Sequence, residues 1–274
     1  MNYVIKGSCK SVIGNVRNNN EDNYYFDGDI LPENNNGQRK ALKKELNNNA
    51  ICSVFDGMGG EANGERASFL AASILKEYIQ KNEEFSWNEY IKKANDAICA
   101  GMKSNKRMGT TMATIAFAEN NIHICNVGDS RIYGMKNGML YQLSEDHTED
   151  KLKRRLNIQS ESKAKLTQHL GIREEEMVIV PYINKYTYEE FSKFLLCSDG
   201  LTDMLNDEEI AEILAADNEV DIIADNLIAN ALDRGGVDNT TVIVLEVKEE
   251  SRINKSHRIN DFLNKVKEVL FMEI

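Results

Sequence analysis

Proline is scarce in these 274 residues: only Pro32 and Pro181 occur, and no Pro- or Ser-rich linker interrupts the chain. Composition therefore marks no internal domain boundary. The five cysteines, Cys9, Cys52, Cys99, Cys125 and Cys197, are odd in number and form no CxxC pair. That excludes a disulfide framework and argues against a structural zinc site; thiols inside apolar runs pack as small hydrophobes in a reducing compartment. No apolar stretch approaches the ~20 residues of a membrane span. Met1–Lys10 has no apolar core of the kind a signal peptide needs. The expectation is a soluble, cytoplasmic chain. Basic residues are also in deficit: 33 Lys and Arg stand against 44 Asp and Glu, a net charge of −11. A general nucleic-acid binder is normally basic, so that class is disfavoured. The four histidines, His123, His147, His169 and His257, have no ligand spacing.

Hydrophobic residues make up 42% of the chain, enough for a sizeable core. Short runs rich in Val, Ile, Phe and Thr predict strands at Tyr24–Phe26, Ala50–Phe55, Met112–Ala118, Ile122–Val127, Arg131–Met135, Met139–Leu143, Phe194–Cys197 and Thr241–Val247. The breaks from Met112 to Leu143 are too short for parallel crossovers, so antiparallel pairing follows. Apolar residues at 3.6-residue spacing predict helices over Gly64–Lys81, Ser86–Met102, Asp207–Ala215 and Val220–Leu232, the last stopped by Gly235-Gly236. Glu33–Asn49, rich in Asn and Lys, reads as a solvated loop. The expected fold class is α+β: a four-layer αββα sandwich of two antiparallel sheets flanked by helices. Residues 1–248 are expected to form one catalytic domain. Residues 249–274 add a polar hinge and an amphipathic helix with Ile259, Phe262, Leu263, Val266, Val269 and Leu270 on its apolar face.

Five acidic signatures punctuate these elements: Asn20-Glu21-Asp22, Asp56-Gly57-Met58-Gly59-Gly60, Gly128-Asp129-Ser130-Arg131, Ser198-Asp199-Gly200 and Asp238-Asn239. Each sets a carboxylate beside the end of an apolar run. Hard divalent cations take oxygen ligands on rigid supports, and Asp at a strand end supplies one. A lone DGxGG or Ser-Asp-Gly is usually a turn. Together, three such Asp residues and a backbone carbonyl make a two-metal site credible. Two cations can activate a water, aim it at phosphorus and offset phosphate charge. Arg17, a few residues before Glu21 and Asp22, is suited to grip phosphate oxygens bidentately.

The signatures, in this order, resemble the metal-dependent serine/threonine protein phosphatases of type 2C, above all the bacterial single-domain members. The motifs are Gly14–Asp22, Val54–Gly64, Gly109-Thr110-Thr111, Asn126–Tyr133, Asp146-His147-Thr148, Leu196–Leu201 and Gly236–Thr240, and they span Val4 to Val247. The resemblance implies two manganese or magnesium ions. Asp56 would bridge them, the Gly57 carbonyl would bind one, and Asp199 and Asp238 would complete the other. Asp129 would form a third, weaker site shared with Asp199. It implies Arg17 on phosphate, Glu21 and Asp22 holding metal-bound waters, and Ser130, Ser198 and Asn239 as structural hydrogen bonders. It implies phosphorylated proteins as partners and an opposing Ser/Thr kinase.

Two departures qualify this. Met58 stands where eukaryotic members carry a His proposed as general acid, so the leaving group must take its proton from elsewhere. The flap expected at Thr148–Leu166 is short, charged and without proline; Lys153, Arg154 and Arg155 there are candidate phosphopeptide contacts or a solvated helical face. The alternative function is a catalytically weak or silent phosphoprotein-binding module on the same fold. A calcium-binding acidic protein is disfavoured because the EF-hand spacing is absent.

Overall fold

Two long strands, β1 (Tyr3–Val12) and β14 (Thr240–Glu249), pair antiparallel from Tyr3↔Glu249 to Val12↔Thr240. The computed structural model describes residues 3–33, 40–59, 63–81, 85–102, 107–149 and 165–250. β4 (Lys40–Leu46), β10 (Arg131–Lys136), β11 (Met139–Gln142) and β13 (Lys193–Cys197) complete the first six-stranded sheet, in the order β11-β10-β13-β14-β1-β4. The second holds β2 (Asn23–Phe26), β3 (Asp29–Ile30), β5 (Ile51–Phe55), β8 (Met112–Phe117), β9 (Ile122–Val127) and β12 (Tyr182–Tyr186), in the order β12-β9-β8-β5-β2-β3. β6 (Gly57–Met58) and β7 (Gly109–Thr110) form a small separate pair.

Three apolar layers hold the sandwich. Between the sheets, Tyr24, Phe26, Val54, Ile115, Phe194, Leu196, Ile243 and Leu245 are buried together. Helices α1 (Gly64–Lys81) and α2 (Trp87–Gly101) turn Ala71, Leu75, Tyr90 and Ile98 onto the outer face of the second sheet. Helices α3 (Asp199–Thr202), α4 (Asp207–Ala215) and α5 (Val220–Asp233) bring Leu201, Ile210, Leu214, Ile223 and Leu227 to the first. Each fully buried large aliphatic or aromatic side chain stabilises by about 1.5–3 kcal/mol. The αββα architecture is as expected. Helix ends follow the local chemistry: Ser86 caps α2, Asn206 and Glu209 form a capping box on α4, and Gly236 N–H donates to Ala231 O beyond α5. All five cysteines are free thiols. Among the described residues no helix is long and apolar enough to cross a membrane.

The structure departs from expectation at several strands. The Lys-rich stretch read as loop contains β4, an edge strand paired with β1 from Ile5↔Leu46 to Ser11↔Lys40. Lysines on an edge deter pairing with other chains, which makes such a strand look like a loop by composition. β1 and β12 had no counterpart among the expected strands. The break between β9 and β10 is not a hairpin: β9 pairs with β8 and β12, while β10 pairs with β11 and β13. Gly128-Asp129-Ser130 therefore carries the chain from one sheet to the other, with Gly128 at φ +105°. Residues 150–164, with Lys153, Arg154 and Arg155, and residues 251–274, with the expected C-terminal helix, lie outside the described residues.

Candidate metal centre and active site

At one end of the sandwich the two sheets open onto a cavity of about 360 Å³, lined by Arg17, Glu21, Asp56, Gly57, Asp129, Asp199 and Asp238. Thr111 and Leu166, the latter at the edge of the expected flap, also border it. Every acid expected in the site thus reaches one cavity except Asp22, which is buried behind its wall.

Asp56 follows β5, and its backbone is clamped by Thr110 and Thr111, where β7 passes into β8. Its N–H donates to Thr111 Oγ1 at 3.0 Å, and its carbonyl accepts from Thr111 N–H and from Thr110 Oγ1, both at 2.9 Å. Thr111 Oγ1 also meets Ser130 Oγ at 2.6 Å, tying the Asp56 turn to the Asp129 turn. His147 fixes that second turn from the other side. Its Nδ1 accepts the Gly128 N–H at 3.1 Å and its own N–H donates to Gly128 O at 2.9 Å. Arg131 forms a forked pair with Asp146 and is a support of the same turn.

On the opposite wall, Asp199 opens α3 and Asp238 precedes β14. Asn239 clamps the Arg17 loop: its Oδ1 accepts the Glu21 N–H at 2.8 Å, and its Nδ2 donates to Ile13 O and Asn19 O at 2.9 and 2.8 Å. Asp22 Oδ2 accepts from Ser198 Oγ at 2.8 Å and Thr241 Oγ1 at 2.7 Å. Ser11 and Asn20 extend this buried network through Thr241 Oγ1···Ser11 Oγ and Asn20 Nδ2→Ser11 Oγ. Ser130, Ser198 and Asn239 are thus hydrogen bonders in the scaffold. The Glu21 carboxylate packs against Gly64 at the start of α1, where the helix dipole favours a negative charge.

The electrostatics are one-sided. Burial, and then the charges of Asp199, Asp22 and Asp129, hold the Asp56 carboxyl well above the usual carboxylate range. Asp56 keeps some exposure in the cavity, yet protein atoms crowd it closely enough for desolvation to dominate. Burial likewise pushes Asp22 up to about 7, against the two hydroxyl donors that lower it. Glu21 is raised by burial and by Glu65. Among the described residues that line the cavity the one basic side chain is Arg17, whose Nη2 lies 2.6 Å from Asp238 Oδ2. That hydrogen bond raises the Arg17 pKa. Five carboxylates thus face one guanidinium, and all candidate ligands are oxygens, a set that suits hard divalent cations. Among the described residues no three side chains converge as a closed ligand set for one ion. The acids ring the cavity instead, and Asp238 is occupied by Arg17.

Gly109-Thr110-Thr111 is a motif of the resemblance without an assigned role, and the structure gives Thr110 and Thr111 one as clamps on Asp56. Thr241 and Ser11 carry no signal, because in sequence they are indistinguishable from ordinary strand residues.

Residues 33–227 match the family profile described as protein phosphatase 2C. The serine/threonine phosphatase stp of Listeria monocytogenes is 33% identical over 254 residues, covering 85% of this chain and 92% of that protein. The serine/threonine protein phosphatase PstP of Mycobacterium tuberculosis is 30% identical over 259 residues, covering 89% of this chain and 45% of that protein. The crystal structure of the PstP catalytic domain in complex with two manganese ions superposes with a TM-score of 0.70 at 30% identity, covering 90% of this chain and all of that one. The S. agalactiae serine/threonine phosphatase gives 0.74 at 26% identity, with 89% and 100% covered.

Proposed function

This chain belongs to the protein phosphatase 2C family of serine/threonine protein phosphatases, and from that premise we propose that it removes phosphate from phosphoserine and phosphothreonine in proteins using two manganese or magnesium ions. The observation that carries this reading is the meeting of Asp56, Asp129, Asp199, Asp238 and Arg17, from both sheets, on one cavity. Asp56, Gly57, Asp199 and Asp238 would hold the two ions, and Asp129 with Asp199 a third. Bound there, the ions would lower the pKa of water and offset phosphate charge. Arg17 orients the phosphate through its planar fork. Glu21 borders the cavity and would accept hydrogen bonds from water within it. Asp22, through Ser198 and Thr241, keeps the Asp199 and Asp238 turns side by side. Met58 supplies no proton. The substrate must come from a kinase that phosphorylates Ser and Thr, so the enzyme opposes such a kinase.

The purified protein is expected to hydrolyse p-nitrophenyl phosphate and a phosphothreonine peptide with manganese and to lose both activities in EDTA. No turnover with manganese or magnesium would overturn the reading. Arg17→Ala is expected to raise KM for the phosphopeptide about tenfold to a hundredfold, the range for a lost charge-assisted hydrogen bond pair. Manganese affinity by titration calorimetry is expected to hold or tighten, because the substitution frees Asp238. Weaker manganese binding with unchanged KM would show that Arg17 does not serve the phosphate.

A further inference from the structure

The end of the sandwich remote from the acids carries a second cavity, about 470 Å³, between the close of α1, the start of α2 and the second sheet. Tyr78, Phe85, Trp87, Phe117, Ala118 and His123 line it. Phe85 packs edge-on to Tyr78 and Trp87, with ring centroids 5.4 and 4.6 Å apart. The groove takes Ile51 at the start of β5, whereas Asp56 follows the end of β5, so it does not communicate with the phosphate site. Of these rings Phe85 and Trp87 are partly exposed, apolar area for which water is a poor partner.

The chain itself leads there. β14 starts beside Asp238 and runs away from the acids to Glu249, opposite Tyr3. The Tyr3 ring stacks on Tyr188 at 4.6 Å, and Tyr188 lies 6.1 Å from Phe117. The Tyr188 hydroxyl donates to Ala118 O at 2.8 Å. The Phe117 ring faces the core between the sheets, but Ala118 borders the groove, so Tyr3 and the end of β14 lie at the same end of the sandwich as its rim. Beyond lies the segment 251–274, whose apolar residues Ile259, Phe262, Leu263, Val266, Val269 and Leu270 recur at helical spacing. Extended, residues 251–258 reach about 26 Å. The segment holds Arg252, Lys255, Arg258, Lys265 and Lys267 against Asp261, Glu268 and Glu273, a basic excess on a chain of net charge −11. A tethered apolar stripe also meets the groove at millimolar effective concentration, which a free partner must exceed to compete.

We propose that the stripe centred on Phe262, Leu263 and Val266 docks into the aromatic groove of its own chain at Ile79, Phe85 and Trp87. Trp87 is the only tryptophan in the sequence, so its emission reports on the groove. In the full chain, Phe262→Asp/Val266→Asp is expected to shift Trp87 emission to the red and raise acrylamide quenching about twofold, as a covered indole becomes wet. Asn260→Asp/Asn264→Asp, which adds the same charges off the stripe, is expected to leave both unchanged. Retained p-nitrophenyl phosphate hydrolysis establishes that each variant is folded. Unchanged Trp87 emission in the stripe variant overturns the proposal. So does a change that tracks protein concentration with loss of a dimer in sedimentation velocity, which assigns the groove to a second copy. A wild-type Trp87 shift appearing only with phosphatidylserine vesicles overturns it in favour of a lipid surface.

Discussion

Replacing Asp56 with Asn is expected to cut phosphatase activity by about a thousandfold or more and, in the same protein freed of metal, to raise the melting temperature. Both effects have one cause. Asp56 sits where Asp199, Asp22 and Asp129 all press on it, and its carboxyl is raised well above the normal range by burial and by their charges. The ion-free fold tolerates a charge there only at a cost, and Asn removes that charge while keeping the size and one acceptor. Each pKa unit of such unfavourable interaction corresponds to ~1.4 kcal/mol. A rise of about 2–5 °C in EDTA is expected for a domain of this size. The loss of activity has the opposite origin: the repulsion is what cations would offset, and losing a shared ligand forfeits several kcal/mol of transition-state stabilisation, hence about 10³ in rate. Calorimetry and manganese-saturated kinetics on one preparation check the pair. An Asn variant that is inactive but less stable than wild type without metal would mean that Asp56 is a structural acceptor, and the proposed ligand role would fall with it.

The carboxylates of this site were legible because each is short, follows or precedes an apolar run and recurs in the same company; those are local properties. What holds them was not legible, because it is contact across the sandwich. Thr241 and Ser198 meet Asp22 only because β14 and the Asp199 turn are brought beside the Asn20 loop, more than 170 positions away in sequence. The missed strands have local reasons. β1 carries Lys6 and Lys10, whose charges are matched by Glu219 and Asp225 on the α5 side, and Gly7, which leaves room for the Phe26 ring. Those residues blur the apolar alternation that marks a strand. β4 hides its role behind Lys43, Lys44 and Glu45 on a sheet edge. The step from β9 to β10 was misread for a different reason. A three-residue break fits a hairpin within one sheet as well as a corner between two, and only the pairing partners of the flanking strands decide. That corner matters functionally, since a hairpin would have left Asp129 on one sheet's rim, while the crossing carries it over the mouth of the cavity.

Gly200→Ala is expected to be the most damaging small substitution at the site, lowering stability by about 3 kcal/mol or more and manganese affinity with it, since overpacking against backbone has no soft way out. A Cβ on Gly200 would lie 2.0 Å from Asn239 O and 2.8 Å from Thr240 Oγ1. Relief requires moving the start of α3 away from the start of β14, which separates Asp199 from Asp238 and strains the Ser198–Asp22–Thr241 links. Gly28→Ala is the matched control: it has open space around it and only a left-handed backbone, φ +95°, so about 1 kcal/mol is expected. Thermal melts compare the two, and manganese titration of the folded fraction reads the site. Equal losses at both positions would show that the Asp199–Asp238 spacing does not depend on this contact. The same logic explains Gly57, where a Cβ would sit 2.2 Å from Gly64 O and 2.4 Å from Glu21 O. Neither Gly57 nor Gly200 has a positive φ. The glycines after Asp56 and Asp199 are there so that another backbone can close on the turn. The Asp-Gly pairs are therefore less flexible loops for a ligand than points where two elements touch, and that contact is what sets one carboxylate facing the next.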